Sequence, residues 1–199
     1  MKIIGLTGGI ASGKSTVSKT LESLGAIIIN SDEVAHSIMH PYKPAWYDIV
    51  KRFGREVLNA DETINREKLG QIVFNDAKLL KELNQITHWR VAERYKEDLR
   101  QIKMKNPDAV VVMEIPLLYE THAERICDEV WVVWVDRETQ LDRLMKRDNI
   151  SQENALKRIE SQMDLDEKAR RADVVIDNRH SIEATVDAAT KNYNARIQT

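Results

Sequence analysis

The 199-residue sequence has few of the features that mark secreted, membrane-spanning or nucleic-acid-binding proteins. Cys127 is its only cysteine, which excludes an intramolecular disulfide and favours a reducing compartment, so we expect the cytoplasm. No run approaches the roughly 18 apolar residues of a transmembrane helix, and too few precede Gly8 for a secretory leader. The 30 basic and 32 acidic residues leave a net charge of -2, which favours neither nucleic acid nor a membrane as a partner. Any site for an anion must therefore be local.

Five short apolar runs predict the strands of a sheet. They are rich in Val and Ile without strict alternation, as expected of strands that are buried on both faces. The segments between them show apolar residues at helical spacing, as at Val17, Leu21 and Leu24. Strands separated by helices predict a layered α/β fold with a parallel sheet covered on both faces. The runs are residues 3–6, 26–29, 109–113, 130–135 and 174–176.

The spacing of these runs is uneven. Roughly 80 residues separate the second run from the third, far more than an ordinary crossover needs, and they show helical pattern without a convincing strand. We interpret them as an inserted helical lobe, and a second helical stretch, dense in Arg and Lys, as a lid. Because repeats and Pro/Gly-rich linkers are absent, these are parts of a single domain over residues 1–199. The predicted parts are a core of residues 1–30, 108–136 and 173–199, a lobe of residues 31–107 and a lid region of residues 137–172.

Residues 8–15, Gly-Gly-Ile-Ala-Ser-Gly-Lys-Ser, match the phosphate-binding pattern G-x-x-x-x-G-K-[ST]. They follow the first predicted strand and open a helix, so that backbone N–H groups and the positive helix end meet the same anion. Lys14 would bridge the β- and γ-phosphates, Ser15 would ligate Mg²⁺, and Thr16 would lie near the α-phosphate. The alternative, a glycine-rich turn with a solvated lysine, is disfavoured by the full match in this context. The predicted nucleotide-binding residues of the loop are Gly9, Ile10, Ala11, Ser12, Gly13, Lys14, Ser15 and Thr16.

The sequence lacks the two further patterns of a GTPase switch. It contains neither Asp-x-x-Gly nor the guanine-reading Asn-Lys-x-Asp. We therefore expect a protein that binds ATP rather than a guanine-nucleotide switch.

Two acidic residues follow predicted strands, at the carboxyl edge where open α/β sheets place their ligands. Asp32 comes just after the second strand and is our candidate for the base that accepts the proton of an attacking hydroxyl group. The alternative is that Ser31 caps a helix whose positive end Asp32 and Glu33 complement. Glu114 ends the third strand and either holds Mg²⁺ through water or is a solvated carboxylate at a strand end.

Three arginines of the lid region are candidates for binding phosphate. Arg143 and Arg147 are four residues apart and share a helix face, while Arg158 lies on the next predicted helix. Guanidinium groups suit phosphate because they donate in a planar fork and stay charged. A lid that closes over ATP would bring them onto the transferring oxygens and exclude water. The alternative is a solvated basic face that pairs with Glu and Asp.

Six segments taken together resemble the dephospho-CoA kinase family. The Thr-Gly-Gly prefix, the Pro-Leu-Leu loop and the Ile-Asp-Asn ending, in this order, are specific to that family, whereas the P-loop alone is not. The resemblance implies a fold like that of nucleoside monophosphate kinases, with a five-stranded parallel core, a helical acceptor-binding lobe and a helical lid. The segments are residues 4–10, 30–32, 65–69, 114–120, 143–148 and 172–178.

The resemblance also implies a reaction, in which ATP with Mg²⁺ phosphorylates the ribose 3′-hydroxyl of dephospho-CoA to give ADP and CoA. By resemblance Asp32 would deprotonate that hydroxyl group. Arg143 and Arg147 would act on ATP from the lid, together with Lys14 of the loop, and Asn178 would lie near the adenine. The positions that match acceptor-binding residues of the family are Asp32, Arg66, His88 and Leu117.

The sequence departs from the family's pattern at three positions. Asn30 replaces the first acid of the family's Asp-x-Asp, so a role for a second carboxylate is missing or moved. Glu114 stands where the family often has Asp, which keeps the charge on a longer arm. Trp89 follows His88 where Pro is common, which affects the details of CoA contact.

Two other functions stay open from the residues alone. One is a kinase that acts on another small molecule, such as a nucleoside, a nucleotide or a shikimate-like alcohol, because the fold licenses many acceptors. The other is a noncatalytic ATP-binding sensor, which would bind ATP without turnover. We expect a monomer, with oligomerisation left open, whose partner is a small-molecule substrate.

Overall fold

The computed structural model describes residues 1–73 and 75–197, which form two compact units. One unit comprises Met1–Ser31 and the chain from Asn106 onward, and it contains the sheet. The other comprises Asp32–Lys105 and is built of helices. Within the described residues, none of the helices combines the length and the apolar composition needed to cross a lipid bilayer.

The strands of the described chain form one parallel sheet in the order β2-β3-β1-β4-β5. Each strand lies within two residues of a predicted apolar run, so the predicted α/β fold with a five-stranded parallel sheet is confirmed. The first strand is central, and the strand order reverses there, with β3 and β2 on one side and β4 and β5 on the other. The loop that follows β1 therefore lies at the switch point of the sheet, where open α/β folds bind ligands. The strands are β1 (Lys2–Gly8), β2 (Ile27–Asn30), β3 (Val110–Glu114), β4 (Glu129–Trp134) and β5 (Val174–Asp177).

Helices connect the strands and build the second unit. Four of those in the described chain, α2 to α5, lie in the helical unit, and the others belong to the unit with the sheet. They are α1 (Lys14–Ser23), α2 (Ser31–Ile38), α3 (Pro44–Phe53), α4 (Arg66–Val73), α5 (Ala77–Lys105), α6 (Arg137–Asp148), α7 (Gln152–Glu160), α8 (Leu165–Arg170) and α9 (Ile182–Ile197).

The sheet is covered on both faces. Ile4 and Leu6 point to the same face of β1, because side chains alternate along a strand, and they pack with α1 and α9 around the fully buried Trp131 of β4. The opposite face is covered by the segment after β3, where Leu118 and Cys127 lie against Gly5. Burial on both faces explains the strongly apolar, weakly alternating strand sequences.

Side-chain caps start the three helices of residues 137–170. Asp136, Ser151 and Asp164 stand just before α6, α7 and α8. Each accepts a hydrogen bond from the backbone N–H three residues later, at 2.8, 3.3 and 3.0 Å. This capping breaks the stretch into short helices at positions that the sequence itself specifies.

The helical unit has its own hydrophobic core, built from one face each of α3, α4 and α5. Trp46 of α3 donates from Nε1 to the carbonyl of Glu62 at 2.7 Å, which ties down the connection between α3 and α4. Asp48 of α3 forms an ion pair with Arg90 of α5. The buried core residues are Ile49, Phe53, Val57, Leu69 and Val73.

Candidate active site

The phosphate-binding loop connects the central strand β1 to α1. Its backbone is left-handed at Ala11, with φ of 61°, and at Gly13, with φ of 92°. Such residues turn successive backbone N–H groups toward one concave side, which makes a nest for an anion. Gly13 is required twice over, because a side chain is strained at this φ and its Cβ would lie 2.1 Å from Nδ2 of Asn178. The loop therefore has the backbone shape that binds a phosphate chain.

The amino end of α1 completes this nest. Whereas α6, α7 and α8 begin with capping side chains, α1 follows Gly13, which carries no side chain to cap it. An uncapped helix start suits an anion, because its backbone N–H groups and dipole are both favourable. Lys14, Ser15 and Thr16 form the first turn, where the motif predicts the residues for the phosphates and Mg²⁺.

The side chain of Asn178 binds the backbone of the phosphate loop. Its Nδ2 donates to the carbonyl of Ser12 at 2.8 Å, and its Oδ1 accepts from Oγ1 of Thr185 at 2.6 Å. The side chain is buried, so these bonds are shielded from water and hold the loop to the end of β5. Arg143 of α6 donates to the backbone carbonyl of the same residue at 2.9 Å. The structure thus brings Asn178, Arg143 and the loop together, and contact of Asn178 with adenine stays a prediction.

Two glutamines that the sequence reading missed bind the backbone of Ile10 in the same loop. Oε1 of Gln162 accepts from the N–H of Ile10 at 2.8 Å, and Nε2 of Gln140 donates to its carbonyl at 2.9 Å. Gln140 is buried in the first turn of α6, where it shares a helix face with Leu144. A polar residue on an apolar face was the only sequence signal for it.

Glu114 is the last residue of β3, at the carboxyl edge of the sheet. In the sheet register it lies opposite Leu6 of β1 on one side and Asn30 of β2 on the other. It therefore stands next to the strand that leads into the phosphate loop. Its role in holding Mg²⁺ through water stays a prediction.

Asp32 is the second residue of α2, which starts directly after β2 ends at Asn30. The chain thus reaches Asp32 as it leaves the carboxyl edge of the sheet, as the sequence predicted. Asp32 and Glu33 both lie in the first turn of α2, where a carboxylate also interacts favourably with the positive helix end. The role of Asp32 as a base stays a prediction.

Arg147 and Arg158 of the lid region both bind the carboxylate of Asp148. Nε of Arg147 donates to Oδ1 of Asp148 at 2.7 Å, and Nη1 of Arg158 donates to its Oδ2 at 2.7 Å. The hydrogen bond and charge of Arg147, together with Arg158, lower the pKa of Asp148 below its usual value. Both guanidinium groups remain about half exposed, so the pairing orients them without burying them.

The predicted acceptor-binding residues lie on separate elements. Arg66 begins α4, and its positive charge is the main cause that lowers the pKa of His36. His88 lies on α5 in an open pocket of about 520 Å³ that Lys81 and Trp89 also line. Leu117, in the segment after β3, is exposed. Their roles toward an acceptor stay predictions.

Fold and loop together define the class of protein. A parallel sheet with a phosphate loop after its central strand is the architecture of a P-loop kinase, and shikimate kinase from Acinetobacter baumannii shares this fold. That structure matches with a TM-score of 0.51 at 19% identity, covering 100% of this chain and 94% of that chain.

The chain belongs to the dephospho-CoA kinase family. The family model for dephospho-CoA kinase matches residues 2–184. A dephospho-CoA kinase from Carboxydothermus hydrogenoformans is 47% identical over 185 residues, covering 93% of this chain and 89% of the relative. The structure of dephospho-CoA kinase from Campylobacter jejuni matches with a TM-score of 0.77 at 32% identity, covering 100% of this chain and 98% of that chain. The resemblance inferred from the six sequence segments is thereby confirmed.

Proposed function

We propose that this protein transfers the γ-phosphoryl group of ATP to the ribose 3′-hydroxyl of dephospho-CoA, giving ADP and CoA in the last step of coenzyme A synthesis. The observation that carries the proposal is a preformed phosphate nest at the carboxyl end of β1 in a chain of the dephospho-CoA kinase family. Kinases of this family use ATP, so the nest is assigned to its triphosphate.

The loop and α1 would bind the triphosphate through backbone N–H groups, and Lys14 would bridge the β- and γ-phosphates. Ser15 would ligate Mg²⁺ directly and Glu114 through water. The metal, when bound, would neutralise charge that develops on the phosphate oxygens. Because binding and charge neutralisation use fixed groups, little reorganisation is needed during transfer.

Asp32 would accept the proton of the 3′-hydroxyl group as the oxygen of that hydroxyl group forms a bond to the γ-phosphorus. The bond between that phosphorus and the β-γ bridging oxygen breaks, and its electron pair leaves with ADP. Arg143 and Arg147 would stabilise the charge on the transferring group and exclude water. Arg66, His88 and Leu117 would bind the acceptor.

A coupled assay of ADP release tests this proposal with dephospho-CoA, AMP, pantothenate and adenosine as acceptors. We expect saturable turnover with dephospho-CoA that depends on Mg²⁺ and is abolished by Lys14→Ala. Saturable turnover with AMP alone would assign the chain to nucleotide kinases instead. ATP binding without turnover on any of the acceptors would favour a noncatalytic sensor.

The predictions of a monomer in the cytoplasm, without a nucleic-acid or membrane partner, remain proposals. They are supported by the near balance of charges and by membership of a family of biosynthetic enzymes. Sedimentation analysis with and without ATP would test the first of them.

A further inference from the structure

We propose that Gln140 and Gln162 are positioning residues that hold the phosphate loop in its ATP-binding shape by binding both backbone polar groups of Ile10. This inference rests on the proposed function, because it assigns the loop to ATP. It goes further in naming two residues outside the phosphate motif that set the affinity for ATP.

The two glutamines grip one residue from two elements. Gln140 belongs to α6, and Gln162 follows the end of α7. Gln140 donates to the carbonyl of Ile10, and Gln162 accepts from its N–H. A carbonyl can only accept and an N–H can only donate, so the amide NH₂ of Gln140 and the amide oxygen of Gln162 are the complementary groups. The pair therefore satisfies both backbone polar groups of Ile10, which lies in a turn outside the described strands and helices.

The site is built to admit Gln140. A Cβ on Gly9 would lie 2.4 Å from Nε2 of Gln140, so any other residue at this position would displace the amide from where it bonds the loop. Gln140 is only 3% exposed, so folding removes its amide from water, and the hydrogen bond to Ile10 offsets that loss of hydration. A buried amide held against a residue of the phosphate motif is unexplained by packing alone.

The contacts around Ile10 indicate that the two glutamines stay bound to the loop when ATP binds, rather than occupying a site from which ATP displaces them. The side chains of Ile10 and Ala11 pack against Leu144, Ala155 and Ile159, the buried cluster that joins α6 to α7. The loop and these two helices thus share one apolar cluster. The N–H of Ile10 is bound by Gln162, and the N–H of Ser12 in the same loop is bound by the carbonyl of Gly9 at 3.1 Å.

A loop that is held in its bound shape binds ATP more tightly, because the entropy of ordering it is not lost on binding. Removing either glutamine should therefore weaken ATP binding without changing the chemical step. The expected pattern is a higher KM and dissociation constant for MgATP, with kcat and the KM for the acceptor nearly unchanged.

The test uses substitutions that keep the shape of the side chain. Gln140→Met and Gln162→Met remove the hydrogen bonds, and we expect MgATP affinity in calorimetry to fall about tenfold for each. Gln162→Glu keeps an acceptor oxygen for the N–H of Ile10 and should stay within about threefold of the wild type. Gln140→Glu adds the same charge but replaces the donor, and should lose about tenfold or more. Gln152→Glu, on the exposed start of α7, controls for the added charge.

Amide exchange of Ile10 in the nucleotide-free protein gives a second readout. Gln162→Met should raise its exchange rate about tenfold or more, whereas Gln162→Glu should keep it protected. Unchanged exchange and unchanged MgATP affinity in both Met variants would overturn the proposal. So would a lower Tm with normal MgATP affinity, because that result marks a purely structural role.

The same measurements separate this inference from the proposed function. A wild type that binds MgATP but does not phosphorylate dephospho-CoA would refute the proposed function alone. The MgATP affinities of the glutamine variants and the amide exchange rates of Ile10 would still test whether the two glutamines hold the loop. A wild type that does not bind MgATP would overturn both.

Discussion

Asp32 and Glu33 are neighbours in the first turn of α2, and they allow the two readings of Asp32 to be separated. A carboxylate that complements the helix end acts through its charge, so either residue can serve. A carboxylate that accepts a proton acts at one position only. Matched substitutions at the two positions therefore distinguish a base from a helix-end charge.

Asp32→Asn should lower kcat about 100-fold or more while leaving the MgATP dissociation constant nearly unchanged, because only the proton acceptor is lost. Glu33→Gln should lower kcat less than about threefold. Steady-state kinetics with dephospho-CoA and calorimetry with MgATP make the comparison. Equal effects at both positions would remove Asp32 from the role of base.

Cys127 is a second position where the environment of one side chain sets its chemistry. Burial, followed by the nearby charges of Asp128 and Glu124, raises the pKa of its thiol to about 12. Because the thiolate is the reactive form, we expect modification by a disulfide reagent at pH 8 to be at least about 100-fold slower than in urea-unfolded protein. Rapid labelling of the native protein would contradict this.

At the scale of elements, an ion pair between a buried lysine and a partly exposed glutamate joins α8 to the segment after β3. Lys168 is fully buried and donates to Oε1 of Glu120 and to the carbonyl of Pro116, both at 2.9 Å. The hydroxyl of Thr7 in β1 donates to the same carbonyl at 3.1 Å. Lys168 thus ties α8 to the segment that carries Leu117, and Thr7 ties β1 to the same segment, so removal of the lysine should loosen the contact of α8.

Lys168→Met should lower the free energy of unfolding by about 3 kcal/mol, because it leaves the carboxylate of Glu120 with its main partner removed. Lys157→Met, which breaks an exposed pair with Glu153 on α7, should cost less than about 0.5 kcal/mol. Urea unfolding of the two variants makes the comparison. Adding Glu120→Gln to Lys168→Met should recover part of the loss, and no recovery would place the cost in packing.

The stability from this pair should also depend on pH. Burial alone would raise the pKa of Glu120, but hydrogen bonds from Lys168 and from the N–H of Met163 outweigh it and lower the pKa below 4.5. A lowered folded pKa means that the stabilisation is present above pH 4.5 and is lost as the pH falls through the folded value. Urea unfolding of the wild type and Glu120→Gln should therefore differ most near neutral pH and converge in acid.

At the scale of the whole molecule, ATP binding should stabilise the folded chain, because a ligand that binds only the native state adds to its free energy. MgATP at about 100 times its dissociation constant should add about 2.7 kcal/mol, which corresponds to a rise in Tm of about 5 to 10 °C. Lys14→Ala should lose most of this shift. Lys19→Ala, at an exposed position of α1, should keep it, and an equal loss in both would argue against a specific role for Lys14.

The amino-acid sequence by itself determined the five strands, the position of the phosphate loop and the family. These depend on local chemistry: β-branched apolar runs that suit buried strands, and glycines that the turn requires. Such signals lie within a few residues of the feature that they specify, so they can be read without coordinates.

Only the tertiary structure decided what surrounds the loop. Gln140 and Gln162 reach Ile10 across 130 and 152 positions of the chain, and Asn178 reaches Ser12 across 166. No sequence pattern links either glutamine to Ile10, since a glutamine is usually solvated, and the resemblance that names Asn178 gives no contact with Ser12. The burial of Lys168 was hidden for the same reason, because an ion pair and a carbonyl supplied by another segment stabilise its charge.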